Sequence, residues 1–470
     1  MALVGGEWRP GSAGSIEIRS PWDGSVVGAA TACGADDVAL AVEAAEKAQR
    51  EWAKVSLLDR VDLFYRAMEL AEDRSEAIAG LITAEMGKTI RESREELDEF
   101  GVPHFRRAAE DALRYRGLTF PSTQERSNAK KMVMNRRPLG IVGVISPYNF
   151  PVDIALITIT YSLIAGNAVI WKPSELTPLS SGLAAEVFVE AGFPEGLVNF
   201  LPGGADVGEA IVASPKVGAV SFTGSTPVGE AITRGAGLKR LLLELGGNGP
   251  IIVLADADLD RAVEATIVGC FYMAGQCCTA AERILVDASV EEEYVAKLVA
   301  RTERMKVGDP ADEGTDMGPL VNRALLDKVE RHVEDARAAG ATVRQIGELE
   351  GLTYPPTILT GVRPEMTIAR EETFGPVVPI ISFDDPDEAL RIANDSPYAL
   401  NGAVFTNDLR EAWRFGEELH HGTVLVNETT NYWDQLAPFG GAKSSGVGRE
   451  LSTWMLDAVT EPKLIVFDVA

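Results

Sequence analysis

Apolar and polar positions along this chain follow two different periods, and the change of period divides it. After a short Gly-rich start, residues 36–116 repeat with a helical period. "ADDVALAVEAAEKAQREWA" sets Val38, Val42 and Ala45 on one stripe, and "LLDRVDLFYRAMELAEDRSEAIAGLITAEMGK" continues it. Helix after helix is predicted here, a covering layer whose stripe core packing explains. Residues 119–138, "TFPSTQERSNAKKMVMNRRP", break the period and alternate weakly, as a hairpin or projecting arm does.

From Gly140 the pattern turns to short apolar runs: "IVGVI", "NAVIW", "LVNFL", "VGAVSF" and "RLLLEL". Each pair is separated by enough chain for one helix, so the segment predicts five parallel strands joined by four helical crossovers. Such sheets bind ligands beyond the carboxyl ends of their strands, which makes the residues after each run the ones to read. A second α/β region begins at "GPIIVLADADL" and continues through "RILV", "VVPIISF", "AVFT" and "GTVLVN". The terminal "KLIVFDVA" is a bare apolar strand; left alone it would be an open edge, and another subunit's arm is the expected partner.

Composition narrows the class. A chain of 470 residues exceeds one ordinary core and predicts two or three domains. No charge-free run of about 18 apolar residues is present, so no membrane span is predicted. The opening "ALVGGEWRPGSAG" lacks a basic flank and long apolar core, and the cytoplasm is the expected location. A net charge of −26 excludes a nucleic-acid partner, which would need clustered Lys and Arg. The four cysteines include no Cys-x-x-Cys pair, and His420 and His421 have no other ligand-type spacing. Neither a disulfide framework nor a metal site is expected.

Four strand ends and one helix end carry candidate chemistry. In "SPYNFP" the Asn149 amide is placed either to donate to an oxyanion or to cap a turn. "WKPSE" offers Lys172 and Glu175 to ribose hydroxyls, or is a surface turn. "FTGSTPVG" opens a helix at Gly224 and Ser225, where free N–H groups favour a phosphate; Glu230 replaces the lysine of a P-loop, and nucleotide hydrolysis is disfavoured. In "LELGGNGP" Glu244 leaves a strand into a glycine turn, as a base or a salt-bridged acid. "FYMAGQCCTAAER" puts Cys278 at the end of a helix predicted from Asp258, with no histidine nearby in sequence; on composition alone Cys277 and Cys278 read as buried structural thiols.

Together, "SPYNFP", "WKPSE", "FTGST", "ELGGN", "GQCC", "EETFGPV" and "PFGGAKSSGVGRE" appear in an order and at intervals that resemble the aldehyde dehydrogenase superfamily over nearly the whole chain. The resemblance implies an α/β fold with a parallel-sheet cofactor-binding domain (1–116 and 138–246), an α/β catalytic domain (247–454) and a small β oligomerisation arm (117–137 and 455–470). It implies a homodimer or homotetramer. Cys278, 34 positions after Glu244 as in the family, would be the nucleophile, Asn149 and the Cys278 N–H the oxyanion hole, and Glu244 the base that activates water. NAD would be the cofactor, NADP the alternative. The resemblance maps Ser146, Tyr148, Lys172, Ser174, Glu175, Gly204, Gly208, Phe222, Gly224, Ser225, Val228, Leu245, Glu372 and Phe374 onto its site. Glu175 would disfavour a 2′-phosphate.

Two positions depart from the family: Asn248 stands where Lys is common, and Thr158 where a basic residue is often found. Phe150, Tyr272 and Trp433 would line an aromatic tunnel for an apolar or aromatic aldehyde, with Asp153, Asn431 and Asp434 nearby, the acids facing water or, as the alternative, attracting a cationic aminoaldehyde. The absence of arginine there weighs against carboxylate-bearing semialdehydes unless Arg283 or Arg107 folds inward. An NADP-dependent semialdehyde dehydrogenase (for succinate semialdehyde, for instance), a coenzyme A-acylating enzyme and a non-catalytic binding protein are the competing readings.

Overall fold

Helix ends and apolar runs set most of the architecture. The computed structural model describes residues 1–469. It opens with four short strands, β1 (Ala2–Val4), β2 (Glu7–Arg9), β3 (Ser15–Arg19) and β4 (Val26–Thr31), where a Gly-rich start is expected. Strands this short carry too little alternation to be read as a period. The helical layer follows as predicted: α1 (Ala35–Trp52), which buries Val38, Val42 and Ala45, then α2 (Leu57–Met86) and α3 (Ile90–Glu95). Ser56 caps α2 by accepting from the Asp59 N–H, and Gly87 ends it with φ of 87°. A capping box between Thr89 and Glu92 starts α3 at once. Between them Lys88 and Thr89 both turn inward, each 1% exposed. A π-helical turn, Glu96–Gly101, leads into α4 (Pro103–Arg114).

Next come β5 (Leu118–Phe120) and β6 (Lys130–Pro138), which pair antiparallel. Then β7 (Ile141–Ile145), α5 (Asp153–Ile164), β8 (Ala168–Lys172), α6 (Pro178–Ala191), β9 (Val198–Phe200), α7 (Ala205–Ala213), β10 (Val217–Thr223), α8 (Thr226–Gly235) and β11 (Arg240–Glu244) form the predicted wound sheet. All four pairings among these strands are parallel, in the order β9-β8-β7-β10-β11. The winding reverses between β7 and β10, which opens a crevice beyond their carboxyl ends.

The second sheet uses β12 (Gly249–Val253), then α9 (Leu259–Phe271), β13 (Ala281–Asp287), β14 (Thr342–Gln345), β15 (Thr357–Thr360) and β16 (Val377–Phe383). Later strands are β17 (Tyr398–Ala399), β18 (Asn401–Phe405), β19 (Thr423–Val426), β20 (Ala442–Lys443), β21 (Gly446–Val447) and β22 (Thr460–Asp468). The order is β14-β15-β16-β13-β12-β18-β19, parallel except for β14. Each sheet has its own core, and a small cluster of Met86, Phe150, Met273, Cys277 and Ala280 forms a third.

Three features differ from expectation. Helix α9 stops at Phe271, so Cys278 lies in a turn and not at a helix end. Residues 446–459, mostly inside the segment assigned to the catalytic part, return to the first sheet. There β21 pairs antiparallel with β11, and Leu451, Met455 and Leu456 pack in the first core. The terminal strand β22 pairs along nine residues with β6 of its own chain, so its partner on that edge is not another subunit. Among the described residues no helix is long and apolar enough to cross a membrane.

Candidate active site

The nucleophile candidate sits on an unusual turn. After α9, Met273 and Ala274 take left-handed backbone angles (φ of 49° and 56°), followed by Gly275 at 75°. A Cβ on Gly275 would lie 2.2 Å from the Gly375 carbonyl oxygen, so only glycine fits there. The two non-glycine residues cost roughly 1–3 kcal/mol each, and surrounding bonds hold them. The Met273 N–H donates to Glu92 Oε1 at 2.7 Å, Gln276 Nε2 donates to the Met273 and Pro319 carbonyls, and the Val321 N–H donates to Gln276 Oε1. The turn delivers Cys277 buried, its Sγ 3.1 Å from Thr279 Oγ1, and leaves Cys278 half-buried.

Facing it is Asn149, buried after β7, whose Nδ2 donates to the Gln276 carbonyl at 3.0 Å. Because that partner can only accept, the amide nitrogen points at the nucleophile turn. Both sides of this contact hang on one buried charge cluster. Lys88 Nζ donates to Glu96 Oε2 and, at 2.9 Å, to the Asn149 carbonyl, and stands 4.6 Å from the centre of the Phe150 ring. Glu96 Oε1 accepts from the Val152 and Asp153 N–H groups at 2.9 and 3.0 Å. Glu92, whose other oxygen closes the Thr89 capping box, holds Met273. The α2–α3 junction is thus a frame for Asn149 on one side and Cys278 on the other. Burial raises the Glu92 and Glu96 carboxyls above their ordinary range, while amide donors and Lys88 oppose the shift.

The acid at the end of β11 is treated differently. Glu244 is buried and neither of its carboxylate oxygens has a hydrogen-bond partner of good geometry. Burial, reinforced by the charge of Glu450, raises it well above the usual carboxylate range. Gly440, at φ of 150°, lies against it: a Cβ there would stand 2.6 Å from Glu244 Oε1. Glu450 is buried as well, with Oε1 unpartnered, and burial, then Asp153, raises it to about 8. The Cys278 thiol is pushed well above its ordinary value by its hydrogen bond with Cys277, by burial, and by Glu244 and Glu372.

The mapped cofactor residues gather beyond the strand ends. Ser146 follows β7, its Oγ accepting from Trp171 Nε1 at 2.9 Å, and the Tyr148 ring meets Phe374 edge-on at 6.3 Å. After β8, Lys172 Nζ lies 3.5 Å from Glu175 Oε2, burial lowering the ammonium, and Ser174 accepts from the Leu176 N–H. Gly204 caps α7 and Gly208 lies within it, while buried Phe222 precedes Gly224, which donates to the Glu244 carbonyl. Ser225 is the N-cap of α8 with no side-chain capping bond, so the first-turn N–H groups are open to an anion. Val228 is exposed, and Leu245 is buried. From the second sheet's side, Glu372 Oε1 accepts from Gly247 N–H at 2.8 Å, and Glu282 accepts from the Thr373 and Phe374 N–H groups. This set fits a dinucleotide: open amides for a pyrophosphate, and Lys172 with Glu175 for hydroxyls.

Cys278, Glu244 and Glu450 share one cavity with Phe150 and Trp433. Tyr272 is not part of its lining; its ring lies 6.4 Å from Phe150, and its hydroxyl donates to Glu95. Asp153 lines the cavity and bonds His104 Nε2 at 2.7 Å, so it does not face water as expected. Arg283 is buried, held by the carbonyls of Asn248, Ile392 and Ala393, and Arg107 lines a separate groove; neither reaches the cavity. Thr158 exchanges a hydrogen bond with Ser221, and Asn248 reaches Glu282 and the Glu371 carbonyl, both at 3.4 Å. Sequence reasoning missed Phe100, His104, Gln435, Phe439 and Glu450. Only Phe439 and Glu450, both inside "PFGGAKSSGVGRE", carried a signal.

The family model described as the aldehyde dehydrogenase family matches residues 8–465. Among curated proteins, the chain is 37% identical to vanillin dehydrogenase of Corynebacterium glutamicum, covering 98% of this chain and 96% of that one. It is 38% identical to a probable NADP(+) succinate-semialdehyde dehydrogenase of Sinorhizobium fredii (96% and 92% covered) and to a benzaldehyde dehydrogenase of Bacillus subtilis (98% and 96%). Among solved structures, an E. coli NADP dependent enzyme superposes with a TM-score of 0.97 at 33% identity, covering 100% of this chain and 98% of that one. Betaine aldehyde dehydrogenase of Staphylococcus aureus in complex with NAD+ superposes at 0.96 with 32% identity (100% and 95%).

Proposed function

The chain belongs to the aldehyde dehydrogenase family, and on that premise we propose that it oxidises an apolar, aromatic aldehyde to the carboxylic acid, with NAD as the preferred oxidant and Cys278 as the nucleophile. The observation that carries this reading is the convergence of Cys278, Glu244 and aromatic walls on one cavity whose lining contains no Lys or Arg.

In the proposed mechanism Cys278 gives up its thiol proton to solvent, against the neighbours that hold the thiol high, and its sulfur attacks the aldehyde carbon, forming a C–S bond and an alkoxide. The Cys278 N–H and the second N–H of Asn149 receive that oxygen, each donor contributing on the order of 3 kcal/mol. NAD, when bound, supplies the two-electron oxidation by taking the hydride. What remains on Cys278 is a thioester. Glu244 takes a proton from water as the water oxygen attacks the acyl carbon, and the C–S bond breaks to release the acid and the thiolate. The unpartnered oxygens of Glu244 suit this role, because a carboxylate whose lone pairs were filled by protein donors would have none free to accept the proton of water. Lys172 and Glu175 hold the adenosine ribose, and the Glu175 carboxylate disfavours a 2′-phosphate.

NADH formation over a panel of ring and aliphatic aldehydes, with NAD and NADP in parallel, tests this. Ring aldehydes with NAD give the highest kcat/KM, and acid accumulates without coenzyme A. Oxidation of aliphatic semialdehydes in preference to any ring aldehyde overturns it.

We further propose a homo-oligomer in which the three-stranded β22-β6-β5 arm meets another copy. Leu118, Phe120, Leu464, Val466 and Phe467 support it, each exposing large apolar surface on the arm. A reducing cytoplasm suits the adjacent thiols of Cys277 and Cys278, both free.

A further inference from the structure

Gln435 lines the cavity, is 5% exposed, and has no part in the chemistry above. Its Nε2 donates to the backbone carbonyls of Glu99 and Phe100 at 2.7 and 3.1 Å. Carbonyls can only accept, so the amide cannot be flipped, and Oε1 is the atom left over. No protein donor reaches that oxygen. The cavity lining therefore includes a side-chain amide whose buried acceptor has no partner and whose orientation is fixed by the π-helical turn.

The walls around it are flat. Trp433 meets Phe150 edge-to-face with ring centres 5.9 Å apart and leans on Phe100 at 5.4 Å. Rings arranged this way accept another ring by its edge or face. A substrate lying there with its aldehyde at Cys278 presents the far side of its ring to the unmet acceptor of Gln435. A carboxylate, ether or nitro group would set lone pairs against lone pairs. An ammonium would satisfy Oε1 but find no charge to balance it, because Asp153 is engaged with His104 and Glu450, raised to about 8, is largely protonated at neutral pH. A neutral hydroxyl meets every condition.

We propose that Gln435 is a specificity-determining residue that accepts a hydrogen bond from a ring hydroxyl, so that the enzyme selects phenolic aldehydes over the same rings without the hydroxyl. This rests on the aromatic-aldehyde reading above. The test compares kcat/KM for 4-hydroxybenzaldehyde, 4-methoxybenzaldehyde and benzaldehyde with the wild-type enzyme and with Gln435→Met. The methoxy compound matches the hydroxyl's electron donation to the ring but has no proton to give. The wild type prefers the hydroxy aldehyde over both others by about tenfold or more, the usual effect of leaving a buried acceptor unpaired. In Gln435→Met that preference collapses toward parity, while benzaldehyde keeps kcat/KM within about threefold; a merely structural role would lower all three substrates together. Equal wild-type rates for the three, or a preference untouched by the substitution, overturns the proposal, and the wild-type comparison stands even if the variant does not fold. If no ring aldehyde is oxidised while aliphatic ones are, the aromatic reading fails first and this proposal falls with it.

Discussion

Two groups of buried carboxylates lie on either side of the nucleophile turn, and the protein treats them in opposite ways. Glu92 and Glu96 are saturated: backbone N–H groups, Thr89 and Lys88 occupy their oxygens. Glu244 and Glu450 are starved, each holding at least one oxygen that no donor reaches. Burial is similar in both, so partners and not depth separate them. A saturated acid is a strut, because moving it breaks several bonds at once. A starved acid is costly to charge and can take up a proton, which is what a catalytic base must do.

The comparison can be broken most directly at the starved acid. Glu244→Gln removes the base yet leaves no new buried charge, so turnover falls by roughly 10²–10⁴-fold while the thermal midpoint holds or rises. Mass spectrometry of the enzyme after mixing with aldehyde and NAD finds an acylated Cys278; full turnover would move Glu244 to the structural group. At the saturated site the balance inverts. Lys88→Met leaves buried Glu96 without its counter-charge, and breaking such a buried pair costs about 3–5 kcal/mol, read from urea unfolding. An unchanged midpoint would show that the frame is not held by this pair.

The third expectation concerns pH. Glu450 is raised in the folded chain from near 4.5 to about 8. Between those values the unfolded chain is ionised while the folded chain still holds the proton. Stability from this group is full below about 4.5 and is lost as pH rises toward 8. Glu450→Gln, which cannot titrate, therefore loses less stability than wild type between pH 5 and 8. The difference is roughly 2–3 kcal/mol after allowing for coupling to Glu244. Parallel stability curves for the two proteins would mean that Glu450 is not buried protonated.

How much of this could be read beforehand depended on the length scale of each signal. The wound sheet was legible because buried parallel strands write unbroken apolar runs, and their glycine turns mark the carboxyl ends where Asn149, Lys172, Gly224 and Glu244 stand. Lys88 was not, since a lysine beside a helix-ending glycine reads as a solvated C-terminal charge. Its burial depends on Glu96, Asn149 and Phe150, brought in by tertiary packing. The His104–Asp153 pair joins positions 49 apart on two helices, and no local pattern announces it. Tyr272, placed in the tunnel by resemblance to the family, packs its ring 6.4 Å from Phe150 and gives its hydroxyl proton to Glu95, a partner 177 positions away that no local pattern announces.

The two-residue strand β21 has a bearing on how the molecule is made. It lies beside β11, Leu243 opposite Val447 and Glu244 opposite Gly446, so the edge that covers the base is supplied from about two hundred residues downstream. During synthesis the first sheet emerges with that edge bare and waits for nearly the whole remaining chain before it can be closed. The long loop makes this a late and slow step. An incomplete chain released before residue 446 would keep its cofactor crevice but leave Glu244 open to water, and an unpaired strand edge would be available to other nascent chains.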